Sequence, residues 1–332
     1  MTPLELKEYL TGLIENRVNL SAMIWGPPGI GKSSLVQQIA QAHELDFVDV
    51  RLSQLAPTDL RGLPVPENGI TYWAPPEFLP RKGSGILFMD EINMAPPAMQ
   101  GVAQQLILDR RVGNYQLPEN WFIWAAGNRK VDRASVFDMP APLANRFMHF
   151  EVGPCIDSFK RYAFQRELSQ SIIGFLAFRQ DLLHKILPDE MAWPSPRSWE
   201  MAAQLHSAGL DIEPAVGLSA AAEFYAYVDI AEKIPDILSI VSGKKSPEFP
   251  DDISLRYATV MSLVAQSRTV EATLNALRWL VDKASAEWVQ LYAADAFPLL
   301  RESNLMADLQ QSILQEEKLK NFLLDYAQMM AS

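Results

Sequence analysis

Eight residues near the N-terminus constrain the fold of this chain more than any others: Gly26-Pro27-Pro28-Gly29-Ile30-Gly31-Lys32-Ser33. They fit the pattern G-x-x-x-x-G-K-[ST] and lie between an apolar run, Ala22–Trp25, and a helix-period stretch, Lys32–Ala42. Glycines let the backbone wrap an anion so that its N–H groups point inward, and the start of the following helix adds partial positive charge. Lys32 is thereby placed to reach the β- and γ-phosphates of a nucleotide, and Ser33 to ligate Mg²⁺. A strand that enters such a loop and a helix that leaves it imply a parallel sheet covered by helices.

The texture up to about residue 155 agrees. Phe47–Arg51, Gly85–Met89 and Trp121–Ala125 are further short apolar runs bounded by Gly, Pro, Asn or Asp, and they read as buried parallel strands. Pro97–Leu108 reads as a helix between two of them. The run Gly85–Met89 continues into Asp90-Glu91. A strand parallel to the first would deliver both carboxylates beside the phosphates. Asp90 would then hold the Mg²⁺ shell, and Glu91 would orient and deprotonate an attacking water.

Beyond residue 155 strand-like runs nearly vanish. Segments 157–170, 172–187, 198–208, 218–232, 255–264, 270–283 and 306–330 carry apolar residues at helical spacing, separated by Gly and Pro clusters. The expected fold class is α/β with an all-helical second half.

Taken in order, these motifs resemble the AAA+ ATPases, P-loop NTPases, and within them the MoxR-like branch. The resemblance spans residues 20 to about 205. It rests on the loop Gly26–Ser33, Asp90-Glu91-Ile92-Asn93, a proline-initiated helix to Asp109-Arg110-Arg111, Trp124-Ala125-Ala126-Gly127-Asn128, Leu143-Ala144-Asn145-Arg146-Phe147, and Ser195-Pro196-Arg197-Ser198-Trp199. It implies that Gly26 to Ser33 together with Ser34 and Asp90 bind ATP, with Mg²⁺ on Ser33 and Asp90. Asn128 would be the sensor-1 amide, Arg146 the arginine finger reaching a neighbouring subunit, and Arg197 a sensor-2 residue on a helical lid. Arg129 and Arg133 are rivals for the trans-acting role, and Arg197 has an alternative reading as a helix-start arginine packed on Trp193 or Trp199.

The resemblance also implies an AAA+ core over 1–155, a lid over 156–210 and a helical extension over 211–332. Arg61–Trp73 resembles the helix-2 insert hairpin (about 60–75), and Arg111–Leu117 with Trp121–Ala125 the pre-sensor-1 hairpin (about 111–125). Tyr72, Trp73 and Tyr115 would either grip a substrate or pack the hairpins onto the sheet. One departure stands out: the branch often has Arg where this chain has Met94. A hexameric ring that remodels a protein, with a von Willebrand A-domain protein as partner, is what the branch implies.

Charge bears on the alternatives. The net charge is −11, of which −3 lies in residues 1–155 and −8 in 156–332. A phosphate backbone needs a basic surface, which argues against a nucleic-acid motor, with Arg110-Arg111 and Arg129-Lys130 as its local candidates. A nucleotide-gated scaffold with little hydrolysis is the other alternative. The single cysteine, Cys155, excludes an intrachain disulfide and fits a cytoplasmic address. Four histidines and one cysteine argue against a structural zinc site. Neither a signal peptide nor an apolar run of the roughly 18–20 residues a membrane helix needs is visible.

Overall fold

The computed structural model describes residues 1–132, 136–187, 190–231 and 233–320. The chain divides into two compact units, Met1–Pro154 and Cys155–Ser332.

The first unit begins with α1 (Pro3–Glu15), which starts at a capping box: the Thr2 side chain accepts from the Glu5 N–H, and the Glu5 carboxylate accepts from the Thr2 N–H. Then follow β1 (Ala22–Trp25), α2 (Lys32–Ala42), β2 (Asp46–Arg51), α3 (Pro57–Arg61), β3 (Leu63–Glu67), β4 (Ile70–Ala74), β5 (Gly85–Asp90) and α4 (Pro97–Asp109). The unit closes with β6 (Arg111–Val112), β7 (Tyr115–Gln116), β8 (Trp121–Gly127), α5 (Ala141–Ala144) and β9 (Met148–Glu151). Five strands form one parallel sheet in the order β2-β5-β8-β1-β9. The strand β9 has no counterpart among the sequence-read runs; only its pairing with β1 reveals it.

Alternation along the strands sorts their side chains onto two faces. Ala22 and Ile24, Ile86 and Phe88, and Phe122, Trp124 and Ala126 share a core with Leu6, Leu10 and Leu13 of α1 and Val36, Ile39 and Ala40 of α2. Met23, Leu87, Met89, Ile123 and Ala125 point the other way, into a core with Met99, Ala103 and Leu106 of α4. Both faces are covered, which is why these strands read as continuous apolar runs. The pairs β3–β4 and β6–β7 are antiparallel hairpins outside this sheet.

The second unit comprises α6 (Ile156–Gln165), α7 (Gln170–Phe178), α8 (Pro196–Ser207), α9 (Glu213–Val216), α10 (Leu218–Ala231), α11 (Ile237–Val241), α12 (Ile253–Gln266), α13 (Val270–Lys283), α14 (Ala286–Glu302) and α15 (Met306–Ile313). No strand occurs in it among the described residues. Polar caps set several starts: Ser195 for α8, Asp236 for α11, Asp252 for α12 and Thr269 for α13 each accept a backbone N–H. The stretch 157–170, read from sequence as one helix, ends at Gln165 because Glu167 takes a left-handed backbone with φ 54°. One hydrophobic core runs from Phe159 to Leu319, unbroken across residue 210. Within it Lys160 of α6 and Asp295 of α14 form a buried ion pair at 2.8 Å. Burial pulls the Lys160 pKa down, but Asp295 and Asp157 outweigh it and hold the ammonium above its ordinary range.

Candidate functional site

The loop 26–31 sits at the C-terminal end of β1, where open α/β sheets take their ligands. Gly31, with φ 88°, is the N-cap of α2, and no side chain caps that helix start. A Cβ on Gly31 would meet nothing within 4 Å, so it is the left-handed backbone and not crowding that calls for glycine there. Gly26 is small for a different reason. A Cβ there would lie 2.4 Å from the Val152 carbonyl oxygen and 2.8 Å from Ile30 Cδ1. Ile30 itself is buried, so it can serve a ligand only through its backbone. Ser34 is exposed on the first turn of α2.

Strand alternation then brings the polar groups together. Asp90 continues the Ile86–Phe88 face toward α2, and its Oδ2 accepts from Ser33 Oγ at 2.5 Å. Asn128 continues the Trp124–Ala126 face, and its Oδ1 accepts from Lys32 Nζ at 3.0 Å. Lys32 also donates to the carbonyls of Gly26 at 2.8 Å and Pro27 at 3.1 Å. Loop, β5 end and β8 end thus share one hydrogen-bonded cluster.

Glu91 follows with a left-handed backbone, φ 56°, unusual for a residue with a side chain. Its carboxylate accepts from the Ser53 hydroxyl, which lies in the short turn after β2. On β2, burial and then Asp90 push the Asp49 carboxyl above its usual range, with Glu91 adding to the push and Arg51 opposing it. Negative charge is therefore concentrated at this edge of the sheet.

Two residues without an individual role in the sequence reading do structural work here. Asn93 is buried; its Nδ2 donates to the Asn128 carbonyl at 2.7 Å and its Oδ1 accepts the Asn128 N–H at 3.2 Å. Its neighbour Met94 receives the Asn128 side-chain amide on its sulfur at 3.5 Å. The residue that departs from the branch pattern therefore touches Asn128, the residue expected as sensor 1, directly. Asn93 had a sequence signal, its place after Asp90-Glu91-Ile92. Ser53 had none.

The arginines separate clearly. Arg129 donates to Asp132 and, at 2.6 Å, to Glu151, bonds that hold its guanidinium charged well above the ordinary range. Arg110 is used locally, on the carbonyls of Pro118 at 2.8 Å and Trp121 at 2.6 Å. Arg133 lies outside the described residues. Arg146 is exposed in the turn after α5, with no hydrogen bond or ion pair from its side chain among the described residues. Arg197 is exposed in the first turn of α8, and among the described residues it stacks on neither Trp193 nor Trp199.

The aromatics divide too. Tyr115 is buried with its hydroxyl on the Pro80 carbonyl at 2.6 Å, so it packs its hairpin down. Trp73 lies under Arg61, and its backbone N–H donates to Asn114 Oδ1 at 2.9 Å, tying the two hairpins together. Only Tyr72 of the three is exposed, on the face shared by Leu63, Val65 and Ile70.

Residues 21–147 match the family model for the AAA domain of the dynein-related subfamily. The chain carries an AAA domain. No curated protein sequence matches the chain. Among solved structures, NtrX from Brucella abortus in complex with ADP is 17% identical with a TM-score of 0.40, covering 91% of this chain and 68% of that one. A candidate ATPase from Cytophaga hutchinsonii is 14% identical with a TM-score of 0.36, covering 88% and 80%. Scores and identities this low bear on neither activity nor partner.

The AAA domain's donor set suits a nucleotide with Mg²⁺. Ser33 Oγ and Asp90 Oδ2 are hard oxygen donors, and among the described residues no cluster of three or more His, Cys, Asp or Glu is gathered for a metal. That matches an ion which takes one or two protein oxygens and completes its shell with phosphates and water. Among the described residues no helix is long and apolar enough to cross a membrane.

Proposed function

We propose that the AAA domain binds ATP with Mg²⁺ at the C-terminal end of its sheet and hydrolyses it, using an arginine from a neighbouring copy. The observation that carries this reading is the joined cluster of Lys32 with Asn128 and Ser33 with Asp90, with Glu91 next in the chain. Backbone N–H groups of the loop 26–31 and the start of α2 would cradle the phosphates. Lys32 would pair with the β- and γ-oxygens. Ser33 and Asp90 would hold Mg²⁺, which when bound neutralises charge on the phosphates. Glu91 would take a proton from a water oriented by Asn128; that water's oxygen bonds to the γ-phosphorus as the bond to the β–γ bridging oxygen breaks.

Arg146 fits the trans-acting role because it is exposed and unpaired among the described residues, whereas Arg129 is held within its own chain. Catalysis in trans requires an oligomer, and six copies is what the AAA+ resemblance implies. Two paired hairpins support the finer MoxR-like reading, a chaperone that remodels a protein together with a von Willebrand A-domain partner. Arg197 would act as sensor 2, and a cytoplasmic address fits the whole.

Steady-state turnover and nucleotide binding test this together. Glu91→Gln should retain ATP and stabilise the oligomer while turnover collapses. Arg146→Ala should lower turnover by roughly 10³–10⁵ with binding nearly intact, as finger losses do in NTPases. Binding without hydrolysis in the wild type, with its partner present, would favour the scaffold alternative. Turnover independent of protein concentration across the assembly range would exclude a trans site.

A further inference from the structure

Trp25 and His149 have no part in the chemistry above, yet they join its two ends. Trp25 is the last residue of β1, directly before Gly26. Its indole Nε1–H donates to His149 Nδ1 at 2.9 Å, with the ring planes only 9° apart and the centroids 6.1 Å apart. That is the geometry of an in-plane N–H···N bond. An indole nitrogen can only donate, so Nδ1 must carry the lone pair and the ring proton must sit on Nε2. Nε2 lies 2.8 Å from the Ala144 carbonyl oxygen, an acceptor. A neutral imidazole in this single tautomer satisfies both contacts at once.

Ala144 ends α5, and Arg146 stands two residues on. The Ala144 carbonyl also accepts the Phe147 N–H at 3.2 Å, and the Arg146 N–H bonds to the Leu143 carbonyl at 3.1 Å. Leu143 and Phe147 are anchored in the same core that Trp25 packs against. The Phe147 ring meets His149 edge-on, at 6.4 Å and 70°. The turn that projects Arg146 is thus fixed at two apolar feet and braced at its carbonyl by a ring tied to the start of the nucleotide loop.

We propose that Trp25 and His149 are positioning residues. They set the direction in which a subunit presents Arg146 to its neighbour, and they tie that direction to the nucleotide loop of the same subunit. The proposal rests on the hydrolytic reading above. It assigns the bridge more than fold stability. Its bonds are solvent-facing, so each is worth only about 0.5–1.5 kcal/mol to the fold. A misplacement of about 1 Å at a catalytic group, by contrast, can cost on the order of 10² in rate.

The test is a set of variants of the full chain, each assayed for turnover, ATP binding and thermal midpoint beside Arg146→Ala. His149→Phe keeps a ring and removes both nitrogens. His149→Asn can keep only the acceptor facing Trp25, and His149→Gln only the donor facing Ala144. Trp25→Phe removes the donor. All four should lower kcat by roughly 10–10² with ATP affinity and midpoint little changed. His149→Phe subunits mixed with Glu91→Gln subunits should regain as much turnover as Arg146→Ala subunits regain from the same partner. The defect would then lie in the arginine that is lent, not in the variant's own loop. Turnover of His149→Phe within threefold of wild type overturns the bridge, and so does recovery by Arg146→Ala where His149→Phe shows none. Wild-type turnover by Arg146→Ala itself would instead overturn the trans-acting role of Arg146 on which the bridge rests, and a wild type without turnover would overturn the hydrolytic reading.

Discussion

Asn93→Ala isolates the clamp behind Asn128. The Asn93 side chain is 3% exposed and makes two bonds to one backbone unit, 2.7 Å to the Asn128 carbonyl and 3.2 Å from the Asn128 N–H. Each such bond contributes about 1 kcal/mol net, and a buried backbone group left unpaired costs about 1–3 kcal/mol. Asn128 is only half-buried, so water can replace part of what is lost. The expected destabilisation is therefore about 2–3 kcal/mol. Hydrogen exchange gives the local readout: the Asn128 amide should exchange at least about tenfold faster, since about 1.4 kcal/mol is a factor of ten. Turnover should fall by roughly 10², because the Asn128 amide that meets Lys32 loses its support, while ATP affinity stays near wild type. Asn93→Asp, which sets a carboxylate oxygen against the Asn128 carbonyl oxygen in a buried place, should be at least as damaging as Ala. An Asn93→Ala protein with an Asn128 amide as protected as wild type and turnover within twofold would refute the clamp.

Other perturbations have equally definite outcomes. Gly31→Ala would force a residue with a Cβ to hold φ 88°; strain should cost about 1–2 kcal/mol, and as the loop relaxes ATP affinity by titration should drop at least about tenfold. Ser53→Ala removes the hydroxyl bonded to Glu91, and kcat should change severalfold without a change in ATP affinity. Asp295→Asn leaves the buried Lys160 ammonium with only the exposed Asp157 carboxylate and should cost about 3 kcal/mol in urea unfolding, whereas Lys160→Met with Asp295→Leu should recover most of it. Because the folded-state pKa of Lys160 is raised above 10.5, the stability it contributes is complete below that value and is lost as pH rises through the higher folded value. In alkaline unfolding the wild type should therefore lose stability that the double variant keeps, so their profiles separate only at high pH.

Several elements were legible because their causes are local. The limits of β1, α2 and α13 follow from apolar periodicity bounded by Gly, Pro and Thr, and β2, β5 and β8 differ from the sequence-read runs by a residue or two. The start of α1 had an equally local signal, Thr2-Pro3-Leu4-Glu5 just before an apolar stretch, which the sequence reading passed over. Helix α14 was hidden by Pro298, which sits in its last turn and a half and did not end it, since Phe297, Leu299 and Leu300 are buried in the core around it.

By itself the sequence determined the chemistry of single segments: a glycine loop before a helix, a carboxylate pair at a strand end, an amide after a glycine. These depend on backbone freedom and on a period of two or 3.6, which neighbours in the chain fix. Tertiary structure decided what meets what. The order β2-β5-β8-β1-β9 puts Asn128 against Lys32, and packing sets Asn93 under Asn128 and Ser53 on Glu91. It holds Arg129 on Glu151 while Arg146 stays exposed, and it places His149 between Trp25 and Ala144. These partners lie tens of residues or more apart in most cases, so only the closing of the sheet brings them together; for the buried Asn93 amide the cost of leaving polar groups unpaired adds to the selection.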